Sequence, residues 1–184
     1  MLPTVPPLPG SWWARLAPRW RFLLVAAALY LGWLLAYEGF IGPDGRLDSW
    51  LSINIAVASA GLLRLLGFAA SVAPGMAMLL MDQQAAVVVG PPCNGLVLYA
   101  LFAGFIVAFP GPARPKLWFI PIGIVALYLL NIVRVGALAL NQHYAHQSVD
   151  FNHHYTFSFV VYGFICLLWM QWVRWYGQPA DADA

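Results

Sequence analysis

Charge is scarce in this chain. Only 9% of its 184 residues are Asp, Glu, Lys or Arg, against about 25% in an ordinary soluble domain. So few charges cannot cover the surface of a soluble 20.3 kDa particle. Nine basic residues against seven acidic ones give a net charge of +2. The basic residues are scattered, so they make no electrostatic footprint for nucleic acid. Two cysteines are too few for the disulfide framework of a small secreted domain. Internal repeats are lacking as well.

What remains is apolar. Hydrophobic residues make up 62% of the chain, and aromatic ones 15%. That is the composition of an integral membrane protein. One span takes about 20 apolar residues, so the length allows roughly four to six helices and no separate soluble domain. The expected fold is an all-α membrane protein of five to six transmembrane or re-entrant helices. It divides into a proline-rich tail (1–18), a single membrane domain (19–176) and a C-terminal tail (177–184) of disordered composition.

Arg15, Arg19 and Arg21 precede an uncharged run over 22–37. A secretory signal peptide has similar flanks. The rest of the chain is equally apolar, however, and no cleavage site is obvious. A retained first helix with a cytoplasmic N-terminus fits better. Residues 38–48 read as a turn-rich loop. A second helix is expected over 49–70, carrying Ser52, Asn54, Ser59 and Arg64. Arg64 either pairs with a carboxylate such as Asp82 or Asp150 or reaches solvent. Two short apolar runs, 76–81 and 85–89, flank Asp82-Gln83-Gln84. They resemble a β-hairpin, although no glycine stands at the tip. A third helix starts after Pro91-Pro92-Cys93-Asn94 and runs to about 110. Gly111 to Lys116 form a short basic loop. A fourth helix covers 117–139. Residues 141–154 hold all four histidines, and a fifth helix spans 155–175.

Charge bias orients these elements. Arg114, Lys116 and Arg174 belong on the cytoplasmic side. Cys93, Arg134 and the pair His153-His154 then meet at the outer surface. On this scheme residue 45 lies outside and residue 113 inside. One conflict follows: a second helix that crossed fully inward would leave Cys93 on the wrong side. A re-entrant or interfacial second helix removes it. A return crossing over 71–89 would have to bury Asp82-Gln83-Gln84, which is costly.

Three features carry chemistry, each with a plainer rival. Cys93 lies in PPCNGL, where prolines forbid helix before it and a helix follows. Helix N-termini activate thiols as nucleophiles; the rival is a small apolar residue at a helix start. Cys166 is surrounded by apolar neighbours, at a different depth, and reads as inert. Arg134 sits inside LYLLNIVRVGALAL, with Asn131 one turn earlier on the same face. An arginine there costs roughly 2.5–3.5 kcal/mol on insertion scales. It either faces a protein interior, where it can stabilise an oxyanion, or snorkels to headgroups. His153 and His154 suit a general base, or are interfacial polar residues. Four histidines within twelve positions also raise the question of a metal. His143-x-x-His146 and His153-His154 lack a matching carboxylate or cysteine set apart from Asp150, and the sequence asks for no metal or cofactor.

PPCNGL before a membrane helix, NIVR inside the next, and HHYTF opening the last resemble the exosortase/archaeosortase family. The resemblance covers about residues 50–175. It implies a membrane-embedded cysteine transpeptidase or protease that cleaves C-terminal sorting signals of exported proteins. It implies Cys93 as nucleophile, Arg134 as electrostatic stabiliser and His153 or His154 as proton shuttle; Asn94, beside the cysteine, and Asn131, on the face of Arg134, are the expected supporting groups. The partners implied are exported proteins with a C-terminal membrane signal, met within the lipid bilayer at the outer face of the cytoplasmic membrane. A rival function is a small-ligand-binding membrane subunit of a transporter. The chain is shorter than many family members.

Overall fold

A computed structural model describes residues 16–144 and 157–177, the side chains of 157 and 158 excepted. Five long helices, three short helical turns and one small sheet make up the described chain. Helix α1 (Pro18–Ala36) opens on a proline in its first turn, where the missing N–H costs nothing. It does not stop at 37. A π-helical turn, Tyr37–Ile41, leads into a short helical segment, Gly42–Asp44. The loop expected over 38–48 is therefore mostly helix. In the wider turn the Gly42 N–H donates to the Tyr37 carbonyl, five residues back. The chain bends only at Gly45, whose φ of +64° is open to glycine at little cost.

Helix α2 (Arg46–Leu65) buries Leu51, Ser52, Ile55, Ala56, Ser59, Ala60 and Leu63. This is one stripe at helical spacing, and its small residues allow close packing. It ends at Leu65, short of the expected 70. Residues beyond it form a three-stranded antiparallel sheet: β1 (Ala70–Val72), β2 (Met78–Met81) and β3 (Gln84–Val88), in that order. The all-α expectation, with at most a hairpin, is corrected here. Ala70 pairs with Met81, and Met78 with Val88. The tip is Asp82-Gln83, with φ of +48° and +64°. Both are left-handed, as in hairpin turns whose twist matches the strands. Asp is enriched in that region relative to other side chains, so the turn forms without glycine.

Helices α3 (Leu96–Ala108), α4 (Ala113–Tyr144) and α5 (Phe157–Tyr176) complete the bundle. With 32 residues, α4 is longer than the expected 117–139. At 1.5 Å per residue it measures about 48 Å, beyond the roughly 30 Å of a bilayer core. Lys116 is not a loop residue. It lies on α4, and its Nζ donates to the carbonyls of Val107 (2.9 Å) and Phe109 (2.7 Å). It thereby satisfies the open carbonyls at the end of α3.

The packing assigns each helix end. Phe22 sits edge-on to Phe105 and Phe109, with centroids at 5.5 and 5.8 Å. The start of α1 is thus beside the end of α3. Gly111 faces Trp172 and Tyr176 of α5. Arg19, Arg21, Arg114, Lys116 and Arg174 therefore share one end of the bundle, which we call the basic end. At the opposite end α2 begins, bonded through Asp48 to Asn94. Further along, Ser59 Oγ donates to the Ile132 carbonyl at 3.1 Å, and Leu63 lies against Gly136. These contacts advance in step along the later half of α4. Phe68, just beyond α2, meets Tyr144 ring to ring. So α2 does not carry the chain back to the basic end. Two helical stretches, Pro18–Asp44 and Ala113–Tyr144, are long and apolar enough to cross a membrane, and α3 is a shorter apolar helix. Arg64 is exposed in the last turn of α2, where a cation suits the helix dipole. Asp82 pairs instead with His143, at 3.2 Å.

Helices α3 and α4 approach closely at Gly123. A Cβ there would run into the ring of Phe102, which is fully buried and packs on Phe119. Gly123→Ala is expected to destabilise the protein by about 1–3 kcal/mol through overpacking. A lower melting temperature in detergent would show it. Gly163→Ala, with nothing within 4 Å of its Cβ position, is the control and should melt like the parent.

Candidate active site

The PPCNG segment builds a sharp entry into α3. Pro91–Cys93 form a single 3₁₀ turn, closed by the Cys93 N–H donating to the Gly90 carbonyl at 2.9 Å. Helix α3 itself begins only at Leu96, with Gly95 as its cap residue. Cys93 is thus not the first helical residue, as the sequence suggests, but stands on a separate turn ahead of it. Asn94 makes the link: its Oδ1 accepts the Leu96 N–H at 2.9 Å and satisfies one open donor of the first turn. Gly95 is required. Its φ is +80°, and a Cβ would lie 2.8 Å from the Tyr99 hydroxyl oxygen. Cys93 is half-buried.

Helix α4 holds this turn from the other side. The Asn131 Nδ2 donates to the Cys93 carbonyl at 2.9 Å. Its Oδ1 faces Arg134, whose Nη1 approaches at 3.4 Å. Asn131 therefore ties the cysteine backbone to the guanidinium with one planar amide. Arg134 is only 9% exposed, and its Nε has no hydrogen-bond partner. It lines a cavity of about 270 Å³, together with Pro91, Pro92 and Gly95 on one side and Val161 and Tyr162 of α5 on another. An arginine on such a wall can receive a negative oxygen.

The structure thus brings together four of the residues singled out from sequence: Cys93, Asn94, Asn131 and Arg134. His153 and His154 lie outside the described residues, as does His146. His143 is elsewhere: it ends α4, pairs with Asp82 at the hairpin tip and lines a different cavity with Gln84 and Gln142. Cys166 is exposed, and neither cysteine is in a disulfide. Among the described residues no group of three His, Cys, Asp or Glu could hold a metal ion.

One residue escaped the sequence reading. Asp48, expected at the end of a loop, is in the first turn of α2 and only 5% exposed. Its Oδ2 accepts from the Tyr37 hydroxyl at 3.1 Å, and its Oδ1 from Asn94 Nδ2 at 2.5 Å. A signal was available. Asp48 stands four, seven and eleven positions before Ser52, Ile55 and Ser59, on the stripe that α2 buries.

The cavity is walled by the prolines that precede Cys93 and by the buried Arg134, in a bundle of apolar helices whose polar groups gather near one end. The family model described as transmembrane exosortase (Exosortase_EpsH) matches residues 1–171. The chain belongs to that family and is a transmembrane protein. Membership implies, in general terms, a membrane cysteine peptidase or transpeptidase acting on exported proteins. Neither the curated proteins nor the solved structures give a match.

Proposed function

We propose that this protein cleaves C-terminal sorting signals of exported proteins at the outer face of the cytoplasmic membrane, with Cys93 as nucleophile. The observation that carries this reading is the amide of Asn131, bonded at once to the Cys93 carbonyl and to Arg134. It ties the backbone of the cysteine turn to the guanidinium, and the cavity that Arg134 lines is also walled by Pro91 and Pro92 of that turn. The thiolate attacks a substrate carbonyl carbon, and Arg134 stabilises the oxyanion that forms. His153 or His154 takes the thiol proton and returns it to the departing amine. A second amine, or water, then attacks the thioester and frees Cys93. The two histidines precede α5 by only a few residues, and α5 contributes Val161 and Tyr162 to the cavity. The basic end of the bundle belongs on the cytoplasmic side, which puts Cys93 on the other.

The test is covalent. The protein is purified after co-expression with an exported protein that ends in an apolar helix. Mass spectrometry of the Cys93 peptide is expected to show a thioester adduct labile to hydroxylamine, alongside a shortened exported protein. A shortened product without any adduct, unchanged in Cys93→Ala, would reject the mechanism. The rival reading, a ligand-binding transporter subunit, leaves the exported protein at full length.

A further inference from the structure

Asp48 is bonded to the residue beside the nucleophile, and its chemistry is one-sided. An ionised carboxylate only accepts hydrogen bonds, whereas the Asn94 amide both donates and accepts. Facing Asp48, Asn94 has to present its Nδ2, so its Oδ1 is turned toward the Leu96 N–H. Both bonds are made, to Asp48 and to Leu96. Asn94 is fully buried and Asp48 nearly so, so water does not compete for either group. The Tyr37 hydroxyl donates to the second carboxylate oxygen. Asp48 thereby joins the end of α1, the start of α2 and the entry to α3. Its chain position, 46 residues before Asn94, shows that the contact is tertiary.

We infer that Asp48 is a positioning residue for Cys93: it sets the orientation of the Asn94 amide, and Asn94 sets the turn on which the thiol stands. The inference rests on Cys93 being the nucleophile, and it names a residue to which the mechanism above gives no role. Asp48 touches neither the thiol turn's carbonyl nor Arg134 in any bond described; it acts through Asn94. Asn131 holds the same turn from α4. The thiol is thus fixed from two sides, by one side chain on each.

An exchange of the two residues tests this. Asp48→Ala removes the acceptor. Asn94→Asp sets two carboxylates against each other in a buried place, and both need a donor. The double variant, Asp48→Asn with Asn94→Asp, restores one donor and one acceptor, and residue 94 can still accept from the Leu96 N–H. Each single variant is expected to process a co-expressed exported protein roughly 100-fold more slowly per folded, monodisperse molecule, because a misplaced nucleophile loses that much. The exchange variant should run at least roughly tenfold faster than Asn94→Asp, the coupling expected of directly bonded residues. Iodoacetamide labelling of Cys93, in a Cys166→Ala background, gives a second readout that does not need processing. It should be several-fold faster in the single variants, as the half-buried thiol opens, and return toward the parent in the exchange variant. Parent-level processing and labelling in Asp48→Ala, or an exchange variant no better than Asn94→Asp, would overturn the inference. If Asp48→Ala does not accumulate, the comparison of Asn94→Asp with the exchange variant decides alone. Undiminished processing in Cys93→Ala would instead remove the nucleophile reading, while the labelling still reports on Asp48.

Discussion

Cys93→Ala is expected to lower processing by at least about 10⁴-fold, the scale seen when a nucleophile is removed from an enzyme that uses one. Expression and melting temperature should stay at the parent level. The structure gives the reason for separating the two. What anchors the turn at position 93 is backbone: the N–H bonded to Gly90 and the carbonyl bonded to Asn131. Alanine keeps both. The side chain is half-buried, so its truncation leaves no sealed cavity of the kind that destabilises a core. Cys93→Ser should lose nearly as much activity, because a hydroxyl is a poor nucleophile unless a base takes its proton. Cys166→Ala is the matched control. That residue is exposed, and its loss should leave processing unchanged. Timed immunoblots of an exported protein with an apolar C-terminal helix measure all three. A Cys93→Ala variant that processes at the parent rate would end the enzyme reading and leave the binding-subunit alternative standing.

Much of the architecture was legible because membrane helices announce themselves. The apolar runs located α1, α3, α4 and α5, and the prolines of PPCNG located the break before α3. The errors have physical causes. Residues 38–48 contain three glycines, a proline and three acidic residues, which argues for a loop. Yet a π turn carries the helix through to Gly45, and only tertiary packing could decide that. The third strand, β1, lies where the helical pattern of α2 continues in sequence. Its pairing with β2 is a non-local gain that a sequence window does not contain. The hairpin tip lacked its usual glycine because Asp82 takes a left-handed conformation in its place. At the site, Cys93, Asn131 and Arg134 were legible as polar exceptions in an apolar chain. Asp48 was not, because it sat next to Asp44 and Arg46 in what looked like a solvated stretch. Those two do form an exposed ion pair; Asp48, one helical turn on from Asp44, faces inward.

Replacing Arg134 should produce the second large effect, and one with opposite signs in two measurements. Arg134→Ala is expected to slow processing by about 10²–10³-fold, the cost of removing one oxyanion donor. Membrane insertion should improve, or at least not suffer, because an arginine in a membrane helix costs roughly 2.5–3.5 kcal/mol on insertion scales. A residue kept only to anchor α4 at the headgroups would behave differently. Its loss would disturb insertion and leave the chemistry of the folded fraction alone. The burial of Arg134 at 9% exposure, with Nη1 toward Asn131 and Nε unpartnered, argues against such an anchor, which needs its head in water. Arg134→Lys sharpens the comparison. It keeps the positive charge but loses the planar fork that lets one group serve Asn131 and a substrate oxygen together. Processing by the lysine variant should fall between the parent and the alanine variant. Asn131→Ala should share part of the loss, since it frees both the guanidinium and the Cys93 carbonyl. Full activity in Arg134→Lys together with full activity in Arg134→Ala would remove the arginine from the mechanism. Full activity in the lysine variant alone would mean that charge suffices and that the fork geometry, and with it the Asn131 link, does not set the rate.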